Sequence, residues 1–302
     1  MDGLLIIDKP AGITSHDVVS QIRRSLKTKR VGHTGTLDPF ATGVMVILVG
    51  KATRLAQFLD KDEKEYLATV AFGFETDTGD STGSPKCKDP VPRTVKLSDL
   101  ETVLTRFRGE IDQLPPMYSA KKVGGKRLYE SARKGITVER KAVTLKIDKL
   151  QLMTSMSAKI DQGAAERETV DLEICCSAGT YIRTLAEDIG KALGIGAHLT
   201  DLRRTRAGRF GISASITLDA LSDLRDPSTC LLPVAAAVEH LRAVTLNAER
   251  AEKTRSGLST QIQAQEFATR EPLRMLDEQG RLLAIGVYDA TEKSVRPRVV
   301  LV

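Results

Sequence analysis

The sequence predicts a mixed α/β (α+β) protein with a smaller β-rich unit at its C-terminal end. Three observations carry this reading. Apolar strand-like runs at Leu4–Ile7, Val44–Val49 and Tyr66–Phe74 alternate with segments whose apolar residues recur at helical spacing. The stretch from Asp226-Pro227 to Pro233 has the composition of a boundary, and beyond it Leu276, Leu282–Val287 and Val299–Val302 suggest short strands. At 302 residues the chain is long enough for two domains and a sizeable core.

Composition narrows the class. With 41% hydrophobic and 28% charged residues the chain reads as soluble and globular. Lys and Arg number 45 against 39 Asp and Glu, a net charge of +6 that suits a polyanionic partner without identifying one. Cys87, Cys175, Cys176 and Cys230 form no C-x-x-C pair and have no histidine at ligand spacing, so reduced thiols are expected and a zinc site is not. Asp2 and Asp8 occupy the place of a basic signal-peptide segment, and no apolar run approaches the ~20 residues of a membrane span. A cytoplasmic protein without membrane attachment is the expectation.

Along the chain, Leu4–Ile7 is a strand closed by the turn residues Asp8-Lys9-Pro10-Ala11-Gly12. Thr14-Ser15 can cap a helix carrying Val18, Val19, Ile22 and Leu26 on one face. Arg23, Arg24, Lys27, Lys29 and Arg30 at its exit suit a helix C-terminus, whether they face solvent or RNA. Then comes Arg30-Val-Gly-His33-Thr-Gly35-Thr-Leu-Asp38-Pro39-Phe-Ala-Thr-Gly43-Val-Met45. Its glycines and the Asp-Pro step predict a rigid irregular loop holding the Asp38 carboxylate at the lip of a buried strand. An ordinary Asp-Pro turn has the same local composition.

Gly50-Lys51-Ala52-Thr53 resembles a P-loop only superficially: Gly43 lies too far upstream, and Ala52 stands where a Mg²⁺-binding hydroxyl belongs. The strand opened by Lys64-Glu65-Tyr66 runs into Thr76–Gly83, an acidic glycine-rich loop without EF-hand spacing, for which Asx turns are expected. Residues 84–95 have a linker composition, and Ser98–Phe107 has helical spacing. The loop Gln113–Tyr129 carries Tyr118, Tyr129, Lys121, Lys122, Lys126 and Arg127. Aromatic residues interleaved with cations fit phosphate contact, and fit a charged surface loop equally.

Strands are expected at Val143–Ile147 and Thr169–Ile174, and a strong helix with Ile182, Leu185, Ile189 and Leu193 ends at Gly194. Arg183 falls in the first turn of that helix, where a cation opposes the helix dipole, so a carboxylate partner is expected for it. Leu202-Arg203-Arg204-Thr-Arg206-Ala-Gly208-Arg209-Phe210 is predicted to be a dense cationic turn.

The Asp38 loop resembles the catalytic motif of the TruB family of tRNA pseudouridine synthases. Leu4–Thr14, Lys64–Asp80, Pro115–Arg133 and Ser177–Phe210 agree with further family stretches in the same order, so the resemblance spans most of residues 1–215. Met45 and Arg54 depart from the usual leucine and the common lysine, away from the chemistry. The tail from about residue 240 is similar to a PUA-like RNA-binding module.

The resemblance implies a catalytic domain over residues 1–230, built around a central mixed, largely antiparallel sheet, and a small PUA-like β-barrel over 231–302. It implies isomerisation of uridine 55, in the T stem-loop of tRNA, to pseudouridine. Asp38 falls on the family's catalytic aspartate, Tyr66 on its stacking tyrosine and Arg183 on the arginine that pairs with the aspartate. His33, Tyr181 and Leu202 correspond to contacts with the target nucleotide. Lys121, Lys122, Lys126, Arg127, Arg203 and Arg204 are the expected phosphate contacts.

Such chemistry breaks a C–N glycosidic bond, turns the base and forms a C–C bond to the same sugar. Asp38 can attack covalently or remove a sugar proton to give a glycal, and both routes stay open. No redox or metal cofactor and no obligatory protein partner is called for, and a monomer is expected. A non-catalytic RNA-binding or tRNA-folding protein on the same scaffold is the rival class, and a family member acting on another RNA is a second one.

Overall fold

A computed structural model describes residues 1–59, 62–86, 95–119, 121–132, 134–153, 157–159, 167–262 and 267–302; for 122, 123, 126, 127, 157–159 and 167 only the backbone is described. Its first element, β1 (Gly3–Lys9), leads into α1 (Ser15–Ser25). Thr14 caps α1 and forms a reciprocal capping box with Asp17. Strands β2 (Val31–Thr34) and β3 (Thr42–Val49) flank the Asp38 loop, and β4 (Lys64–Phe72) carries Tyr66.

Helix α2 (Leu97–Thr105) precedes β5 (Gly109–Gln113), β6 (Val143–Leu152) and β7 (Arg167–Cys176). Then come α3 (Ile182–Ala192), β8 (Ala197–Ala207) and β9 (Ile216–Thr217). The main path of this 11-stranded sheet is β9-β1-β3-β8-β4-β7-β6-β5, with β2 beside β3. Along that path β9·β1 and β3·β8 are parallel and the other pairs antiparallel, so the sheet is mixed and largely antiparallel.

The continuous apolar run in β3 follows from burial on both faces. Met45, Ile47 and Val49 join Leu5 and Ile7 in a core covered by α1 and α3. Val44, Val46 and Leu48 join Leu4 and Ile6 in a core on the opposite face.

The sequence is misleading at β8. The expected cationic turn over Leu202–Phe210 is strand as far as Ala207, and the turn is confined to Gly208 and Arg209. Leu202 and Arg204 point inward at period two, so an arginine occupies a core position. Pairing with β3 and β4, invisible locally, overrides the turn-like composition.

The chain after Cys230 stays on the large sheet for another turn, where Leu4 and Leu232 exchange backbone hydrogen bonds of 3.0 and 2.8 Å. A second sheet follows from β10 (Ala243–Thr245), helix α4 (Ala248–Arg255), β11 (Thr260–Gln261), β12 (Pro272–Leu276), β13 (Leu282–Asp289) and β14 (Ser294–Val300). Its order is β10-β12-β13-β14-β11, a curled half-barrel in place of a closed barrel. Ile285, Val299 and Leu301 from this sheet lie in the same core as Leu4, Ile6, Val44, Val46 and Leu48. The half-barrel is therefore a buttress of the large sheet.

Cys175, Cys176 and Cys230 are free thiols, and Cys87 lies outside the described residues. No helix among the described residues is long and apolar enough to cross a membrane.

The shared core sets a test. Ile285 is fully buried there, so Ile285→Ala is expected to lower the unfolding free energy by about 2–5 kcal/mol. Hydrogen exchange should show both sheets losing protection together, and loss confined to the half-barrel would refute the shared core.

Candidate active site

The Asp38 loop is irregular because several separate contacts clamp it. Gly35 stands at φ +73, in the left-handed region open to glycine. Ser15 Oγ donates to Leu37 O at 3.0 Å and accepts from Leu37 N at 2.9 Å. Gly12 N donates to Pro39 O at 2.8 Å. Lys9, fully buried, donates through Nζ to Pro10 O at 2.7 Å and to Pro39 O at 3.1 Å. Burial pulls the Lys9 ammonium down to about 8, while Asp38 pushes it up and Arg204 down. The N-terminal turn Asp8–Gly12 is thus the floor under Asp38.

Asp38 meets Arg183 in a two-pronged contact: Nε to Oδ2 at 2.9 Å and Nη2 to Oδ1 at 3.0 Å. Arg183 is 5% exposed. A second Nη2–H reaches Tyr118 O at 2.8 Å and one Nη1–H reaches Thr78 O at 2.7 Å, and Asp80 Oδ2 lies 3.8 Å from Nη1. A lysine could not make this set, because it lacks the planar fork. The misplaced cation at the start of α3 has its carboxylate.

The Asp38 side chain is still 34% open to the cleft, but protein closes the other sides. That loss of water pushes its carboxyl above the ordinary aspartate range; Arg183 pulls it down and Asp80 pushes it up. The bidentate contact to a permanently charged guanidinium keeps the carboxylate as the paired form.

Asp38, Tyr66, Tyr181, Arg183 and Leu202 converge on one cleft of about 260 Å³, which Lys64 and Arg204 also line. Tyr66 is 8% exposed, and burial raises its phenol above the ordinary value against the pull of the nearby Arg204 charge. Tyr181 also has a phenol raised by burial. Its backbone is held by Gln113, which accepts from Tyr181 N at 2.8 Å and donates to Tyr181 O at 3.0 Å. Leu202 presents an apolar wall and is 4% exposed. His33 lies on β2 opposite Ile47, half-buried, and is not among the described residues lining the cleft.

One of the expected phosphate contacts, Arg204, is corrected, and a second, Arg203, is found in an ion pair at the surface. Arg204 is 1% exposed and donates to Val44 O, Gly35 O and Thr36 O at 2.7, 3.0 and 3.4 Å, so it is an internal tie. Arg203 is committed to Asp8 through a two-pronged pair at 2.7 and 3.2 Å. Both stand on a central strand, where neighbouring strands supply their partners. Lys121 is half-buried, while the side chains of Lys122, Lys126 and Arg127 lie outside the described residues.

Asp80 and Lys9 carry no mark in the sequence. Asp80 does form the expected Asx turns, accepting from Thr82 N at 3.0 Å and Thr78 Oγ1 at 2.9 Å. It is also 4% exposed beside Arg183, a placement set by the long-range bridge to Leu199. No local signal reveals that.

The chain is similar to known proteins over its whole length. A model of the TruB family pseudouridylate synthase N-terminal domain matches residues 23–182, and one of the tRNA pseudouridylate synthase B C-terminal domain matches 183–250. The tRNA pseudouridine synthase B of Halalkalibacterium halodurans is 41% identical over 305 residues, covering 100% of this chain and 98% of the relative. That of Bacillus subtilis is 39% identical over 307 residues, again covering 100% and 98%. Among solved structures, a Cbf5-Nop10-Gar1 complex contains a chain with TM-score 0.75 and 28% identity, covering 99% of this chain and 85% of that one. An H/ACA RNP bound to a substrate RNA containing 2'-deoxyuridine gives TM-score 0.73 at 26% identity, with the same coverage.

The electrostatics of the pair can be measured directly. In a carbon-13 titration the Asp38 carboxyl is expected to titrate above the ordinary 3.8. Arg183→Gln should raise it further, because Asp80 then faces Asp38 without the cation between them. A downward move would refute this arrangement. The raised value also means that the native state binds this proton more tightly than the unfolded chain. Asp38 thus contributes stability fully below the ordinary range and loses it as pH rises through the native value.

Proposed function

This chain belongs to the TruB family of pseudouridine synthases, and on that premise we propose that it isomerises uridine 55 of tRNA, in the TΨC loop, to pseudouridine. The observation that carries the reading is the Asp38 carboxylate held by Arg183 in a cleft walled by Tyr66, Tyr181 and Leu202.

The uridine lies stacked in a folded loop, so it must turn out of the stack before the cleft can receive it. His33, on the strand leading into the Asp38 loop, is proposed to occupy the space it leaves. Leu202 and Tyr181 would pack on the flipped nucleotide, with Tyr66 stacking on the uracil. Asp38 then acts at the sugar. It either attacks C1′ as N1 departs or takes a sugar proton so that a glycal forms. The detached uracil turns and its C5 bonds to C1′, as the Asp38 carboxylate leaves that carbon on the first route or as Asp38 returns the sugar proton on the second; the C5 proton then leaves and N1 is protonated, so no atom is gained or lost.

Arg183 would keep the carboxylate ionised and aimed, with four of its five N–H groups committed to Asp38, Thr78 and Tyr118. The protein is proposed to act as a monomer in the cytoplasm on free tRNA. The half-barrel and Lys121, with Lys122, Lys126 and Arg127, would grip the RNA.

Asp38→Asn tests the chemistry. It keeps the side chain's shape and removes the nucleophile and proton acceptor. Single-turnover pseudouridine formation should be undetectable while tRNA affinity stays within about threefold of wild type, because phosphate contacts dominate binding. A parallel tRNA carrying cytidine at position 55 should yield no pseudouridine with the wild-type protein. Substantial turnover by a folded Asp38→Asn protein would overturn the mechanism, and pseudouridine at another position would overturn the target. Binding and refolding of tRNA with no turnover by the wild type would favour the RNA-folding role.

Lys121→Gln addresses the RNA grip. It should reduce the slope of log affinity against log salt by roughly 0.7–0.9. An unchanged slope would leave Lys121 as solvated surface.

A further inference from the structure

We propose that Gln113 is a positioning residue: its side-chain amide holds the backbone of Tyr181 and so aims the Arg183 fork, two residues further on, at Asp38. Gln113 is the last residue of β5, paired with Val143 of β6, and is 1% exposed. Its Nε2 donates to Tyr181 O at 3.0 Å, and its Oε1 accepts from Tyr181 N at 2.8 Å. An N–H needs an acceptor and a carbonyl needs a donor, so a single orientation of the amide satisfies both. Tyr181 lies 68 positions away in sequence, and both ends of the amide are spent on it.

The need for such a clamp lies in how α3 begins. Tyr181 is the N-cap of α3, at φ −97 and ψ 105, and its own side chain does not cap the helix. Thr184 stands where a capping box would put Glu or Gln. Its Oγ1 is buried without a hydrogen-bond partner among the described residues. The helix thus starts without the local devices that hold a first turn, and terminal turns are where helices fray. Gln113 supplies from β5 what the helix lacks. It satisfies the Tyr181 N–H and adds a second donor to a carbonyl that already accepts from Leu185 N at 3.0 Å.

Arg183 stands in that first turn, and the chain after Gln113 meets it again. Leu114-Pro115-Pro116-Met117 leads to Tyr118, whose carbonyl accepts from Arg183 Nη2 at 2.8 Å. The two prolines fix φ at two of these positions. One short, stiff segment is therefore fastened to the start of α3 at both ends, at Tyr181 through the Gln113 amide and at Arg183 through the Tyr118 carbonyl. The same guanidinium reaches Asp38 at 2.9 and 3.0 Å. A shift of the helix start relative to β5 would disturb all of these contacts together.

Tyr181 and Arg183 line the cleft, whereas Gln113 is not among the described residues that do. Gln113 therefore acts on the site through those two residues. An apolar side chain of similar size would fill its space and leave the Tyr181 N–H and C=O without these partners. This inference rests on the reading that Asp38 acts at the sugar.

The test is Gln113→Met, which removes both hydrogen bonds at similar volume. Single-turnover pseudouridine formation on bound tRNA should slow roughly 10²-fold, while tRNA affinity stays within about twofold because no substrate contact is removed. The Asp38 carboxyl should titrate higher than in wild type, because a misaimed fork pulls it down less. A role in packing alone would leave that titration where it is. Rates within about twofold of wild type, below the melting temperature of the variant, would overturn the proposal. So would an unmoved Asp38 titration, or an affinity loss that accounts for the rate loss.

A measurement on the wild-type protein holds even if the variant does not fold. The Tyr181 N–H should exchange with solvent as slowly as the interior amides of α3, although an N-cap N–H has no partner within its helix. Fast exchange would refute the clamp. Wild-type protein that makes no pseudouridine would sink the proposed function, whereas the Tyr181 exchange and the Asp38 titration would still decide the role of Gln113.

Discussion

The contact between Arg183 and Asp38 is the constraint on which the rest of the architecture depends. A carboxylate in a cleft largely closed by protein gives up much of its water, and burial drives it toward the neutral form. A fork of N–H groups opposes that drive and fixes direction as well as charge. The fork itself needs support, because a cation in the first turn of a helix is unfavourable. Asp80 and the carbonyls of Thr78 and Tyr118 provide it, drawn from separate segments of the chain. Fixing one carboxylate thus recruits residues more than a hundred positions apart.

Local pattern carries much of the fold. The capped helix at Thr14, the apolar strand after the Asp38 loop and the amphipathic helix closed by Gly194 all follow from spacing and turn chemistry. The misfit of Arg183 in its helix points to a carboxylate partner on sequence grounds alone. What stays illegible depends on strands meeting far along the chain. Arg203 and Arg204 look like surface cations because their partners, Asp8, Gly35, Thr36 and Val44, are set by pairing with β1, β3 and the loop. Lys9 looks like part of a solvated turn until Pro39 folds over it. Asp80 is indistinguishable in sequence from its exposed neighbour Asp77, and only the approach of β8 separates them.

Strand β3 joins the two halves of the molecule. One of its faces looks to the helices and the other to the half-barrel, and its first residues leave the Asp38 loop. Apolar contact from Ile285, Val299 and Leu301 therefore reaches a strand that begins four residues after Asp38. Arg54 adds a hydrogen bond to Val300 O, and Arg209 pairs with Glu239. A unit that resembles a detachable RNA-gripping module in sequence is a wall of the catalytic core. The cleft and the half-barrel then share one packing problem, and a change that loosens the half-barrel acts on both.

The charges beneath the cleft do not balance, and the imbalance has a consequence. Lys9, Arg183 and Arg204 face Asp38 and Asp80, so these five groups carry one more positive than negative charge. The overall excess of +6 is spread over the whole chain and says little about location. This local excess is largely buried, where fixed charge acts over longer range than in water. It favours entry of a nucleotide with its phosphates, and it opposes protonation of Asp38 once water has been displaced. A surface lysine could supply attraction alone. A buried guanidinium with fixed partners also holds its orientation while the base turns, so the cleft needs little reorganisation as charge moves.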